Sequence, residues 1–405
     1  MIAANNAATA TDLTGELKPN RQALDGQSKV FRVGISGSYG GMNLGDEAIL
    51  KAIVTLLRNS LPVEITVFSR NPQDTLARHQ VDRAIPVREL SRAEVLPEIE
   101  QLDLFILGGG GVLFDAEAAT YLREVILAEE KGVPVMLYAI GAGPLQDPTA
   151  QRLVRTALNR ATIVTVRERR AQQVLEHIGV TCDIQVTADP AFLLEPEPLP
   201  HGSFEIESLR EGRNLVGISV REPGVAAPDL DQDFYHAMLA NAADYMIDRL
   251  DAVLIFVPME RRTLDIQHSH AVISKMAHAD HATVLKGEYT SGQILSLMGE
   301  FTFAVGMRLH FLMFAALQGV PFVALPYADK VLGFLESLDI AMPPAKQVNA
   351  GQLIAHIDRM WDLRNRLQGQ INSALPLLQE RARQTHDIAV QLLTQKAKSE
   401  GNRAF

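Results

Sequence analysis

Phe301-Thr302-Phe303-Ala304-Val305-Gly306-Met307-Arg308-Leu309-His310, continuing from Phe311 to Gly319, is the stretch on which the reading of the fold turns. Phe301 to Val305 is apolar, bounded and short, which predicts a buried strand. After Gly306, the residues Phe311 to Leu317 predict a helix that is apolar nearly all round, stopped by Gly319. Such a helix must be enclosed by protein. Arg308 and His310 interrupt this apolar region at the turn from strand to helix. A buried unpaired charge is costly, so the two meet either an anionic ligand or internal carboxylates. The carboxyl end of a strand facing the amino end of a helix is where open α/β sheets hold anions.

The same strand–turn–helix unit recurs upstream. Val30 to Ser36 predicts a strand entering a glycine-rich turn, Gly37 to Gly45, followed by a helix from about Asp46 to Asn59. Its glycines let backbone amides approach a ligand. Asp46 and Glu47 either serve that ligand or simply complement the helix dipole. The turn is neither a P-loop nor Gly-x-Gly-x-x-Gly, and the next strand, Val63 to Phe68, ends on Ser69 and Arg70 with no acid placed for a ribose. The residues therefore give little support to a nucleotide cofactor. Leu104 to Leu107 runs into Gly108-Gly109-Gly110-Gly111, Pro134 to Ile140 into Gly141-Ala142-Gly143-Pro144, Ile163 to Val166 into Arg167, and Ile184 to Val186 into Ala188-Asp189-Pro190. Repeated units of this kind predict a parallel, doubly wound sheet with an open carboxyl edge. Four consecutive glycines favour close approach by a ligand or by another domain.

A chain of 405 residues exceeds what one core usually serves, so two domains are expected. Residues 1–29 read as a disordered leader and 30–195 as the first Rossmann-like domain. The proline-rich run at 196–213 reads as a linker. Asn214 to Ser219 then repeats the Val-Gly-Ile-Ser of residues 33–36 and opens a second such domain, 214–345, ahead of C-terminal helices at 346–405 that pack back toward the first domain. The net charge of −10 argues against a nucleic-acid partner. The single cysteine, Cys182, excludes an intramolecular disulfide, suits a reducing cytosol and reads as a small buried residue on a strand. No uncharged run is long enough to span a membrane, so the expected protein is soluble and cytoplasmic, with peripheral membrane contact left open.

His268, His270, His278 and His281 lack the spacing of a zinc site and read as exposed helical histidines; no metal is expected. Arg167, Arg169 and Arg170 read as an exposed helix start without a catalytic part. The sharper set is Arg221, Arg308 and His310, each just past a predicted strand end of the second sheet. Two guanidiniums beside one imidazole suit a small di- or trianion, and a histidine beside an anion can deliver a proton at neutral pH. That chemistry fits a phosphorylated enol acid.

Tyr39 to Leu50, Gly108 to Gly111, Ile140 to Pro144, Ala188 to Phe192, Ser219-Val220-Arg221-Glu222 and Gly306 to His310, in this order, resemble the polysaccharide pyruvyltransferase family. The likeness runs from about Phe31 to Leu338 and is greatest to the type that modifies cell-wall polymers anchoring surface layers. It implies two Rossmann-like domains facing a cleft, as in GT-B glycosyltransferases. It also implies phosphoenolpyruvate as co-substrate, with no further cofactor, and a ketal-linked pyruvate on a glycan or lipid-linked oligosaccharide at the inner face of the plasma membrane. By the same likeness Arg221 and Arg308 hold the donor and His310 gives the proton; Ser219 and Lys330 are expected beside the donor. The acceptor falls to Asn43, Asp46, Gly109, Gly110 and Gly111. The family's Tyr-Asp-Pro-Lys turn reads Tyr327-Ala328-Asp329-Lys330 here. A nucleotide-sugar glycosyltransferase and a non-catalytic glycan-binding protein are the alternatives; the sequence does not reveal the oligomeric state.

Overall fold

A computed structural model describes residues 29–207, 213–222, 231–260, 264–325, 329–340 and 349–401. All of the leader except Lys29, the end of the linker run, and Tyr327 and Ala328 of the turn before Lys330 lie outside these residues. The strands are β1 (Phe31–Ser36), β2 (Val63–Ser69), β3 (Arg83–Pro86), β4 (Leu104–Leu107), β5 (Gly110–Leu113), β6 (Val135–Ala142), β7 (Ile163–Val166), β8 (Ile184–Val186), β9 (Asn214–Ser219), β10 (Ala252–Phe256), β11 (Ala282–Val284), β12 (Phe303–Gly306) and β13 (Phe322–Ala324).

They form two parallel sheets. The first has the order β3-β2-β1-β4-β6-β7-β8, with β5 also paired to β6. The second has the order β11-β10-β9-β12-β13. In each, the order reverses beside the first strand: between β1 and β4, and between β9 and β12. Connections that leave a parallel sheet in opposite directions open a crevice at such a reversal.

The glycine run is part turn and part strand. β4 pairs with the first half of β6 and β5 with its second half, so Gly108 and Gly109 form a kink in one strand line. Val112 and Leu113, both fully buried, carry the continuation. β3 has no clear alternation and was not evident from the sequence; the register Thr66↔Arg83 to Ser69↔Pro86 places it on the outer edge.

The sheet residues alternate as a sheet buried on both faces requires. Leu104 and Ile106 enter a core that continues through helix Leu44–Ser60 into the second sheet and the last helix. Phe105 and Leu107 enter a separate core under the other face. Helix Leu309–Leu317 is interior along nearly its whole length, with Phe311, Leu312 and Phe314 fully buried. Each such side chain contributes about 2–3 kcal/mol of transfer free energy.

The two sheets are joined by more than apolar packing. Asn43 caps helix 44–60, its Oδ1 accepting from Gly45 N at 3.0 Å and Asp46 N at 3.4 Å. Leu44 N donates to Met259 O at 2.8 Å, and Ser291 Oγ donates to Leu44 O at 2.6 Å. Glu197 pairs with Lys51 on one side and Thr290 on the other, so the proline-rich run is anchored at its start. Its later part holds a short helix, Ser203–Ile206, and the buried Glu207, which accepts from Lys286 N, Gly287 N and Tyr289 Oη. The last helix, Arg364–Gly401, buries Ile371, Ala382 and Ala389, and its His386 Nε2 lies 2.8 Å from Ser60 Oγ.

Candidate active site

The carboxyl edges of the two sheets face each other at their reversal points, and a cavity of about 280 Å³ lies between them. Ser38, Asn43, Asp46, Arg70, Gly111, Tyr121 and Arg167 line it from the first sheet; Arg221, Glu260, Arg308, His310 and Lys330 line it from the second. Arg221 stands two residues past β9 and Arg308 two past β12, on the strands flanking the second reversal.

His310 sits in the first turn of its helix and meets the other domain directly. A Cβ built on Gly45 would fall inside the contact shell of His310 Nδ1 and Cγ, and 2.8 Å from its Cβ. Only glycine admits the imidazole at that helix start. On the other edge of the ring, Nε2 lies 3.6 Å from Asp189 Oδ2, an ion-pair separation longer than a hydrogen bond. Asp189 follows β8 of the first sheet. It also receives Arg167 Nη1 at 3.0 Å and Ala191 N at 3.0 Å. Burial alone would push its carboxyl up, but His310 and Arg167 outweigh burial and hold it at about 2.

Arg308 takes the second of the two fates open to it in the sequence. Its Nε lies 3.1 Å and its Nη2 2.5 Å from the carboxylate of Asp265, and its Nη1 is 3.0 Å from Glu260. Burial raises Asp265 above the ordinary carboxylate range, with Arg308 pulling the other way. Asp46 is also raised by burial, and His310, Ser38 and Lys330 oppose the shift. The cavity thus carries an imidazole from the second sheet and a carboxylate from the first, the pairing that acid–base chemistry uses.

The remaining expected site residues divide. Asn43 lines the cavity, although its Oδ1 is engaged by the helix cap. Gly111 lines it as well; Gly110 has φ +99°, a left-handed conformation that suits glycine, and the position of its missing Cβ lies 3.4 Å from Asp46 Oδ1. Gly109 turns toward Ile49 and Pro190 in the core, so its smallness serves packing. Ser219 is buried with its hydroxyl unpartnered and is not part of the cavity wall. Glu47 is buried, accepting from Gly40 N at 3.0 Å and lying 2.8 Å from His79 Nε2, so its role is to fix the glycine turn.

Three expectations are corrected. Arg167 is not an exposed helix residue: it is buried between Glu168, at 2.7 Å, and Asp189, and reaches the cavity. It stands just past β7, the placement that singled out Arg221 and Arg308, so the signal was present. His268 is likewise buried, its Nδ1 2.8 Å from His236 Nε2. Cys182 is half-buried ahead of β8, not on it. Arg70, whose Nη2 donates to Ser38 O at 2.9 Å, and Tyr121 were also missed; both reach the cavity from segments without a glycine turn. Among the described residues no cluster of three or more His, Cys, Asp or Glu is placed to hold a metal ion, and no helix is long and apolar enough to cross a membrane.

The sequence profile of the polysaccharide pyruvyl transferases matches residues 43–329. The chain belongs to that family. The matched span runs from Asn43 at the glycine turn through Asp189, Arg221, Arg308 and His310, and ends just before Lys330. The amylovoran biosynthesis protein AmsJ of Erwinia amylovora is 22% identical over 292 residues, 69% of this chain and 70% of that protein. The fold is similar to that of a glycosyltransferase from Rickettsia africae (TM-score 0.62, 11% identity, 90% of this chain and 99% of that one). It is also similar to UDP-GlcNAc 2-epimerase from Neisseria meningitidis (TM-score 0.59, 10% identity, 90% and 100%). This pyruvyl transferase family member therefore has the two-domain α/β architecture of GT-B proteins.

Proposed function

We propose that this pyruvyl transferase moves pyruvate from phosphoenolpyruvate onto a sugar of a cell-surface glycan or its lipid-linked precursor, forming a cyclic ketal and releasing phosphate. The observation that carries the reading is the meeting of His310 and Asp46 across one cavity that Arg221, Arg308 and Lys330 also line. His310 protonates the methylene carbon of the donor, turning it into a methyl group and leaving positive charge on the carbon that bears phosphate. A sugar hydroxyl attacks that carbon and gives its proton to Asp46. A second hydroxyl of the same sugar then displaces phosphate and closes the ring. One hydroxyl proton ends in the methyl group and the other departs with phosphate, so the reaction balances without a redox partner.

Arg221 and Lys330 meet the donor's anionic oxygens and stabilise phosphate as it leaves. Arg308, two of whose edges rest on Asp265 and Glu260, completes that wall and helps to fix the donor's orientation. The acceptor enters from the side of Asp46, Gly110 and Gly111, with Tyr121 and Arg70 beyond. A lipid-linked acceptor would bring the protein to the cytoplasmic face of the membrane.

The test combines a panel of glycan acceptors with phosphoenolpyruvate. Phosphate release should depend on acceptor, and the product should gain the mass of one ketal-linked pyruvate. His310→Ala should abolish release while circular dichroism stays native. Wild-type turnover in His310→Ala would remove it from the reaction. Calorimetric binding of a uridine or guanosine diphosphate, with no phosphate release, would point instead to a nucleotide-sugar glycosyltransferase.

A further inference from the structure

His310 presents its two ring nitrogens to different surroundings. Nε2 is fully buried and has no hydrogen-bond partner; Asp189 Oδ2, 3.6 Å away, is the carboxylate that faces it. Nδ1 is not buried in this way; it lies against Gly45, and the residue itself lines the cavity. Asp189 does not line the cavity and so does not touch what binds there. It is nonetheless held rigidly, by Arg167 Nη1 and by Ala191 N, in the cap of the turn Pro190–Leu193. It comes from the first sheet and His310 from the second.

We propose that Asp189 is a positioning residue that holds the proton of His310 on Nε2 and thereby makes Nδ1 the nitrogen that exchanges a proton with the ligand. A neutral imidazole carries one proton. A buried carboxylate facing Nε2 keeps that proton there, because the other tautomer would turn a lone pair toward an anion. Nδ1 is then the atom that gains a proton from solvent and passes it on, and protonation at Nδ1 places the imidazolium between Asp189 and Asp46. The other charges around the ring are Arg308 on its own turn, Arg167 behind Asp189, and Lys330, whose charge acts on Asp46. Because Asp189 and His310 belong to different sheets, the tautomer is set only when the two carboxyl edges are apposed.

The proposal deepens the pyruvyl-transfer reading, but its first test needs no substrate. In protein labelled with ¹⁵N-histidine, with the His310 resonances assigned by difference against His310→Gln, the ligand-free wild type should show the Nε2–H tautomer near neutral pH. Asp189→Asn should shift the ring toward a mixture of tautomers. With phosphoenolpyruvate and acceptor, it should also lower kcat by about a hundredfold or more, with KM for the donor changed less than about threefold. A role in folding alone would leave the tautomer of the folded variant as in wild type. An Nδ1–H tautomer in the wild type, which needs no variant to fold, overturns the proposal, and so does an unchanged tautomer in folded Asp189→Asn. Failure of pyruvyl transfer with the tautomer result intact would remove the reaction and leave the pairing standing.

Discussion

Replacing Gly45 with alanine tests the meeting of the two domains without altering a charge. The added methyl would lie 2.8 Å from His310 Cβ, and nearer still to the ring. Rotating the imidazole cannot relieve a clash with Cβ, so the start of helix 309–317 or of helix 44–60 must retreat by roughly half an ångström or more to reach ordinary contact. Overpacking of this kind costs about 1–3 kcal/mol. Alanine returns about 1 kcal/mol over glycine within a helix. The net loss of stability is therefore about 0–2 kcal/mol, and the protein should fold. The effect on turnover is much larger, because the imidazole loses its setting between Gly45 and Asp189 and a displacement approaching 1 Å costs about a hundredfold in rate. Acceptor-dependent phosphate release and a urea unfolding curve, measured on the same preparation, separate the two quantities. Wild-type turnover in Gly45→Ala, or a crystal structure of the variant with His310 unmoved, would refute the reasoning.

Two further outcomes concern buried charge. Arg308→Met leaves Asp265, 1% exposed at its side chain, without its guanidinium; stability should fall by about 3–5 kcal/mol in urea unfolding, and adding Asp265→Asn should return part of the loss. Glu129 lies in a nearly dry site beside Arg160, and burial pushes its carboxyl up to about 7. An acid raised in the folded state binds more protons there than in the unfolded chain, so stability falls as pH rises from the ordinary carboxylate value through about 7. Glu129→Gln should therefore match wild type near pH 4 and exceed it by about 1–2 kcal/mol at pH 8, after allowance for partial solvent screening; equal stability at both pH values would contradict the burial argument.

The parallel sheets were legible because their strands are short apolar runs ending on glycine or charge, a pattern that few other arrangements produce. β4, β7, β8 and β9 match the residues read from the sequence alone. β5 was hidden because glycine carries no alternation, and β3 because an edge strand need not be apolar on both faces. Position past a strand end singled out Arg221, Arg308 and His310, all of which line the cavity. The partners of these groups were not legible, since Asp189 and Asp265 lie 121 and 43 residues from the groups they face, and spacing reveals only neighbours on one element. Reading Arg167 as exposed came from the run of charge around it, which is the usual mark of a solvated helix start. The buried Asp189 reverses that reading; it too stands just past a strand end, but nothing local pairs it with Arg167, 22 residues away.

The acids behind the cations explain how such a cavity can be stable when empty. An arginine as buried as Arg308 or Arg167 needs a counter-charge in the folded protein whether or not a ligand is present. Asp265 and Asp189 supply it from the interior side, and both are also held by backbone amides, which leaves them little freedom to swing toward the cavity. Glu260 differs: its side chain is 23% exposed and it shares the cavity wall with Arg308. A trianionic donor approaching Arg308 would be repelled by Glu260, whereas Asp265 is screened behind the guanidinium. Glu260 is thus the acid whose contact with Arg308 the donor would have to displace, and Asp265 the one that holds the guanidinium in place while that happens.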